Sequence, residues 1–163
     1  MSKNNLVVER DQLAFTMSRT FDAPRELVWK VCTDPKLVPE WWGPRRLTTV
    51  VDKMDLIVGG AWRYVQTDPE GNEHAFNGVY KEIKAPELLV YTFEYEPFAG
   101  HISVDTITLK ELPDGKTLLT TRTTFDTLED LEGMIQSGME GGATESWDRL
   151  EELLEKEKEP HSR

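Results

Sequence analysis

Seven short segments alternate apolar and polar side chains in the manner of β-strands, and the last six follow one another without an intervening helix. The segments are residues 14–21, 47–56, 61–67, 73–83, 88–95, 103–112 and 116–125. Turn-forming residues separate most of the last six, for example Gly59-Gly60, residues 68–72 and Pro113-Asp114-Gly115. Parallel pairing needs crossover helices, and these connections are too short to contain them. The sequence therefore predicts an antiparallel meander.

Helical patterns occur after the first strand and at the C-terminal end. Apolar residues between positions 27 and 32 recur at helical spacing after Pro24, and a second short turn follows at residues 37–41. Thr127 opens another helix, with Asp130 in the position of a capping box. Beyond several glycines, a helix that runs to about residue 158 carries one apolar stripe, made of Ala143, Trp147, Leu150 and Leu154.

One arrangement buries all of these apolar faces. It is an α+β fold in which a curved antiparallel sheet of about seven strands wraps around the long C-terminal helix, with two short helices after strand 1. A large sheet curled around one helix rarely fills its interior, so this fold also predicts an apolar cavity. The length of 163 residues fits a single domain, 1–163, with an expected ordered core of about 12–158.

Short motifs in a fixed order, from about residue 15 to residue 154, resemble one known family. They are Arg19-Thr20-Phe21-Asp22-Ala23-Pro24, Val28-Trp29, Thr33-Asp34-Pro35, Trp41-Trp42-Gly43-Pro44, Asp55-Leu56, Val58-Gly59-Gly60, Trp62-Arg63, Gly78-Val79-Tyr80, Glu82-Ile83 and segment 142–150 with its Trp147. The set is similar to the activator of heat-shock protein 90 ATPase homologue-like family of the START and birch-pollen-allergen-like (SRPBCC) superfamily. The resemblance implies a helix-grip fold and a hydrophobic cavity for small molecules or lipids.

Aromatic residues at alternating strand positions and near the helices are the candidates for lining the cavity. The sequence leaves open which strand face points inward, because a register shift of one residue moves every side chain to the other face. Simple core packing explains each aromatic residue equally well. Two of the candidates are adjacent tryptophans that cannot be equally buried, so one of them is a candidate lid. The candidates are Trp41, Trp42, Trp62, Tyr64, His74, Phe76, Tyr80, Tyr91, Phe93 and Trp147.

Charged residues within the strand patterns are expected to point outward in most cases, because a buried charge is costly unless it is paired or touches a ligand. They are Arg19, Arg63, Glu94, Asp105 and Arg122. The formal net charge of −11 disfavours nonspecific binding to nucleic acid, since both partners are negative.

Several functional classes lack their motifs. His74 and His101 have no His, Cys or carboxylate partner at metal-ligand spacing, so we expect no metal site. Neither a phosphate-binding loop nor a nucleophile elbow is present, and no cofactor or catalytic motif is recognised.

The expected location is cytoplasmic. Residues 1–10 lack the basic stretch and long apolar run of a secretory signal, and no apolar run approaches the roughly 20 residues of a membrane span. Cys32 is the only cysteine, which excludes an intramolecular disulfide and agrees with a reducing compartment.

Three functions remain open. The first is binding of a small hydrophobic or amphipathic molecule in the cavity, without catalysis. The second is a cyclase-like or dehydratase-like enzyme that uses the same cavity, for which a convergent pair of His, Tyr, Asp or Arg side chains would be diagnostic. The third is a protein-binding module in contact with a chaperone, through the Trp-Trp-Gly-Pro edge at residues 41–44 or the acidic C-terminal helix. The activator that gives the family its name also uses a separate N-terminal domain, for which 163 residues leave no room.

Overall fold

The computed structural model describes residues 4–158, and its main element is one antiparallel sheet of eight strands. The strands are β1 (Asn5–Glu9), β2 (Ala14–Phe21), β3 (Thr48–Met54), β4 (Ala61–Thr67), β5 (Glu73–Lys84), β6 (Leu88–Tyr95), β7 (Ser103–Glu111) and β8 (Thr117–Thr124). Their order in the sheet is β1-β2-β8-β7-β6-β5-β4-β3. The predicted meander from β3 to β8 is confirmed, and β2 pairs with β8.

The first strand, β1, is an addition to the expected seven. It pairs with β2 from Asn5 opposite Ser18 to Glu9 opposite Ala14. A single 3₁₀ turn at Arg10–Gln12, followed by Leu13 in the left-handed region at φ 53°, reverses the chain between the two strands. The sheet therefore begins before residue 12, the expected start of the ordered core. β1 is a half-exposed edge strand of five residues, and its alternation is too short to stand out in the sequence.

Four α-helices cover the inner face of the sheet. The two short helices after the first predicted strand are α1 (Arg25–Thr33) and α2 (Val38–Trp41), as expected. The C-terminal part forms α3 (Leu128–Gln136) and the long α4 (Met139–Lys158), which are separated by Gly138 at φ 86°. In α3 the Thr127 hydroxyl accepts a hydrogen bond from the Asp130 amide at 3.1 Å, as the capping box predicts. Within residues 4–158, no helix is both long enough and apolar enough to cross a lipid bilayer.

The apolar stripe of α4 faces the sheet. Trp147, Leu150 and Leu154 are buried against Phe21 and Leu119 of β2 and β8. The Trp147 ring meets the Phe21 ring edge-on at a centroid distance of 6.0 Å. This contact between the helix and the first predicted strand closes the sheet around α4, and the expected α+β helix-grip fold is confirmed.

Arg19 on β2 lies inside the molecule and is an exception to the outward positions expected for most of the charged strand residues. Its side chain is 1% exposed and lies against the Phe21 and Trp147 rings, 5.6 and 6.0 Å from their centroids. The guanidinium group is 2.9 Å from an Asp148 carboxylate oxygen and 3.3 Å from one of Glu151. These two carboxylates on α4 compensate the buried charge, which is why the position tolerates an arginine.

Arg63 and Arg122 lie on the outside, as expected. Arg63 pairs with Glu96 and Asp52, and Arg122 pairs with Glu9 of β1. Both arginine side chains remain more than one third exposed, so water screens their ion pairs.

Candidate functional site

A cavity of about 380 Å³ lies between the inner face of the sheet and the four helices. Its walls come mainly from aromatic side chains of β4, β5 and β6, with methionines from α3 and α4 on the opposite side. Of the ten residues proposed from the sequence as cavity candidates, nine lie in its walls. They are Trp41, Trp42, Trp62, Tyr64, Phe76, Tyr80, Tyr91, Phe93 and Trp147.

Strand register brings the aromatic residues of β4, β5 and β6 to one face. Tyr64 lies opposite Phe76, and Tyr80 lies opposite Tyr91. The Trp62 ring links the two groups, with its centroid 4.8 Å from that of Tyr64 and 5.7 Å from that of Tyr91. The sequence did not show which strand face points inward. In the structure it is the face that carries these aromatic residues, and it points toward the helices.

The two adjacent tryptophans have different positions. Trp41 is 8% exposed, and its indole nitrogen donates a hydrogen bond to the Val31 carbonyl at 3.1 Å. Trp42 is half-buried and meets the Tyr64 and Phe76 rings edge-on, at centroid distances of 5.0 and 5.4 Å. Both rings point inward, so the Trp-Trp-Gly-Pro edge offers no exposed pair of tryptophans for a protein partner.

The loop after Trp42 is attached to α4. The Ser146 hydroxyl donates to the Trp41 carbonyl at 3.1 Å and accepts from the Gly43 amide at 3.1 Å. Gly43 has φ 95°, and a Cβ atom there would lie 1.9 Å from the Gln66 amide nitrogen. Glycine suits this left-handed backbone conformation, and any other residue would also have to displace the Gln66 side chain. The position of Trp42 at the cavity therefore depends on α4 as well as on its own loop.

His74 is the one candidate that does not line the cavity. It lies near the start of β5, beyond the aromatic walls, where its Nδ1 is 2.9 Å from the Tyr95 hydroxyl and its Nε2 is 3.5 Å from an Asp68 carboxylate oxygen. These polar partners, Asp68 in the β4–β5 turn and Tyr95 at the end of β6, hold the ring away from the interior. Within residues 4–158, no three His, Cys, Asp or Glu side chains are grouped so that they could hold a metal ion.

Asp105 on β7 points into the cavity and is a second exception to the outward positions expected for most of the charged strand residues. It lies between Tyr91 on β6 and Thr123 on β8, and only 9% of its surface is exposed. Burial raises the pKa of the Asp105 carboxyl from 3.8 to about 6, against the opposing effect of hydrogen bonds from Thr123 and Tyr91. Alternation along β7, with Ser103 and Ile107 on the same inward face, is the sequence signal that would have found it.

The other titratable groups of the cavity are neutral at neutral pH. Burial raises the pKa of Cys32 and of Tyr80 to about 12, and it raises the pKa values of Tyr64 and Tyr91 well above their ordinary value. The Tyr64 hydroxyl group donates a hydrogen bond to the Met54 sulfur at 3.9 Å. The cavity thus combines apolar walls with a few hydroxyl groups and one carboxyl group.

Gly78 makes room for the central ring of the aromatic wall. It lies opposite Trp62, whose indole nitrogen donates to the Thr92 carbonyl at 3.1 Å. A Cβ atom at Gly78 would lie 1.8 Å from that carbonyl oxygen and 2.5 Å from the indole nitrogen. The missing side chain therefore permits both the close approach of β6 and the orientation of Trp62.

Substitution of Gly78 by alanine is expected to lower the free energy of unfolding by about 1–3 kcal/mol and to shift the fluorescence of Trp62, because the new methyl group overlaps backbone atoms. Urea denaturation followed by circular dichroism measures the first effect. Gly133→Ala in α3 is the matched control, since nothing lies within 4 Å of its Cβ position. Gly133→Ala is expected to raise the free energy of unfolding by up to about 1 kcal/mol, because alanine favours a helix more than glycine does. Equal stability of the two variants would contradict the steric argument.

Comparison with solved structures gives close likenesses over nearly the whole chain. A protein from Arthrobacter aurescens is 25% identical with a TM-score of 0.86, and the alignment covers 93% of this chain and 91% of that one. A Mycobacterium smegmatis protein is 26% identical with a TM-score of 0.83, at 92% and 95% coverage. A Nitrosomonas europaea protein is 27% identical with a TM-score of 0.79, and the alignment covers 90% of this chain and 97% of that one. No curated protein matches the sequence.

Comparison with protein families gives a match over residues 22–155, to the family described as Activator of Hsp90 ATPase homolog 1-like protein. The matched range begins at the end of β2 and ends within α4, so it contains α1, α2, the complete meander and most of the gripped helix. Because this range is most of the 163 residues, the chain belongs to the activator of Hsp90 ATPase homolog 1-like family of the SRPBCC superfamily.

Proposed function

We propose that this protein binds a small hydrophobic or amphipathic molecule in the cavity between the sheet and α4. The observation that carries the proposal is the cavity of about 380 Å³ with its aromatic walls. Ligand pockets in proteins span roughly 300–1,000 Å³, with apolar walls and a few polar groups that orient the ligand. The SRPBCC superfamily commonly binds hydrophobic ligands, which supports the same conclusion.

The side of the cavity formed by the helices can adapt to a ligand. Met134 of α3 and Met139 of α4 lie in the wall beside Gly142 and Ala143. Methionine side chains are flexible and polarizable, so they fit ligands of different shape. A rigid aromatic face on the sheet and a flexible face on the helices together suit a small apolar molecule.

Native mass spectrometry of the freshly purified protein tests the proposal. We expect a mass above that of the denatured chain, with a small apolar molecule released on denaturation. In parallel, the neutral fluorescent probe N-phenyl-1-naphthylamine is expected to bind saturably with a stoichiometry of one. An unliganded mass together with no saturable binding of the probe would contradict the proposal.

A variant that fills the cavity distinguishes internal binding from binding at the surface. Ala143 lies in the cavity wall, so Ala143→Phe would place a phenyl group in the space for the ligand. We expect it to weaken binding of the probe by about tenfold or more, since one displaced ring is worth over a kilocalorie per mole. Lys156→Phe adds the same side chain at an exposed position of α4 and is the matched control. Equal weakening by both variants would point to a surface site.

Catalysis in the same cavity is the second candidate, and the pairing of Asp105 with Tyr91 favours it. Dehydration needs a base that takes a proton from carbon and an acid that protonates the departing hydroxyl group, and a carboxylate with a phenol can supply both. A proton transfer between the two groups would then restore them. If this is the function, the molecule released from Asp105→Asn is heavier by one water molecule than the molecule released from the wild type, and addition of wild-type protein converts the first into the second.

The contact with a chaperone stays a prediction. Because both tryptophans of the Trp-Trp-Gly-Pro edge point inward, the acidic outer face of α4 is the remaining surface of the two that the sequence suggested.

A further inference from the structure

The cavity contains a single formal charge. Among the residues of its wall, all within the described range 4–158, Asp105 is the only Asp or Glu, and none is Lys, Arg or His. Its position near the start of β7 places it on a row across the sheet, between Tyr91 and Thr123. Whatever occupies the cavity therefore meets one carboxyl group and no basic side chain.

The protein provides this carboxyl group with neutral partners only. Thr123 donates a hydrogen bond to it, Tyr91 is its cross-strand neighbour on β6, and neither hydroxyl group carries a positive charge. At neutral pH a carboxyl group that titrates near pH 6 is mostly ionised, so a negative charge lies in an apolar cavity without a counter-ion. A buried charge of this kind is unfavourable until a cation or a proton compensates it.

Aromatic rings surround the same region. The Tyr91 ring meets Trp62 edge-on at 5.7 Å, and Trp62 lies 6.0 Å from Phe93 and 4.8 Å from Tyr64 by ring centroids. The faces of such rings attract organic cations, in addition to their contact with apolar groups. A carboxylate and an aromatic wall in one cavity form a combination that recognises ammonium groups.

We propose that the cavity selects an amphipathic amine, whose protonated nitrogen pairs with Asp105 and whose apolar body lies among Trp62, Tyr64 and Phe93. This inference rests on the proposed function and specifies the chemical class of its ligand. A ligand with a carboxylate in the same position is repelled by Asp105, and an alcohol gains a hydrogen bond without the charge pairing. The net charge of −11 also attracts cations to the protein surface.

Three probes with one apolar body test the inference: 4-phenylbutylamine, 4-phenylbutan-1-ol and 4-phenylbutanoate. Each displaces N-phenyl-1-naphthylamine from the wild type at pH 7.5, and the three dissociation constants are compared. We expect the amine to bind about tenfold to a hundredfold more tightly than the alcohol, as a charge-assisted hydrogen bond predicts, and the carboxylate to bind least.

Asp105→Asn keeps the shape of the side chain and removes its charge. We expect this variant to lose the preference for the amine, so that the ratio of the dissociation constants of the alcohol and the amine falls to about one. Asp114→Asn makes the same chemical change in the exposed turn between β7 and β8, and it is expected to keep the preference. Circular dichroism of both variants confirms that they are folded.

The outcomes separate this inference from the function on which it rests. Equal affinity for the amine and the alcohol, or a preference for the amine that persists in Asp105→Asn, overturns the inference and leaves cavity binding in place. The same holds if the neutral probe binds and none of the three compounds displaces it. If neither the probe nor any of the three compounds binds, both the inference and the proposed function are wrong.

Discussion

Trp147→Ala is expected to lower the free energy of unfolding by about 3–5 kcal/mol. Trp147 is 8% exposed, it meets the Phe21 ring edge-on, and it provides an aromatic face for the guanidinium group of Arg19. Its removal leaves a void between α4 and the sheet, and it also widens the cavity whose wall it forms. Guanidinium denaturation followed by circular dichroism at 222 nm, a wavelength that reports helix content, measures the change without relying on tryptophan fluorescence.

Leu128→Ala is the control for this experiment. Leu128 begins α3 and is 47% exposed, so its truncation is expected to change stability by less than about 0.5 kcal/mol. An unchanged denaturation midpoint for Trp147→Ala would mean that the stripe of α4 does not hold the helix on the sheet.

Asp105 is expected to make the protein less stable at neutral pH than at mildly acidic pH. Its pKa is raised from 3.8 to about 6 by burial, so the folded state holds its proton more strongly than the unfolded state. As the pH rises from about 4 to about 6, the unfolded chain ionises first and is favoured. The free energy of unfolding falls by about 1.4 kcal/mol for each pH unit between the two pKa values. The total decrease is about 3 kcal/mol, and it stays constant above that range.

The difference in free energy of unfolding between Asp105→Asn and the wild type isolates this effect, since the other titrating groups are common to both proteins. We expect the difference to move by about 2.5 kcal/mol in favour of the variant between pH 4 and pH 7.5, since the unfolded carboxyl group is already partly ionised at pH 4. The groups that interact with Asp105 do not titrate in this interval, because Thr123 has no ionisable group and burial raises the pKa of Tyr91. A difference that is independent of pH would show that Asp105 is solvated.

The fold could be predicted from the sequence because its signals are local. Turns between alternating segments require antiparallel pairing, and the stripe that contains Trp147 requires a surface to cover it. The ordered motifs, for example Trp41-Trp42-Gly43-Pro44, then indicated the family that residues 22–155 match. β1 was missed because an edge strand of five residues is half-exposed and leaves a weak pattern.

Individual site residues were harder to predict, because each depends on what faces it. His74 shares its strand face with Phe76, yet Tyr95 and Asp68 hold its ring at the start of β5, beyond the cavity. Arg19 and Asp105 are exceptions to the outward positions expected for most charged strand residues, because the sequence of a strand does not show which partner will compensate a buried charge. In the case of Arg19, that partner lies on α4, more than a hundred residues away in the chain.

The sequence by itself determined the meander, the gripped helix and the supply of aromatic side chains, because turn residues and apolar periodicity act over a few neighbouring positions. Only the tertiary structure decided which strand face became the wall of the cavity and that Asp105 stands in it. A shift of one residue in register moves every side chain to the opposite face. The register and the inward face are decided together by the packing of α4 against the whole sheet.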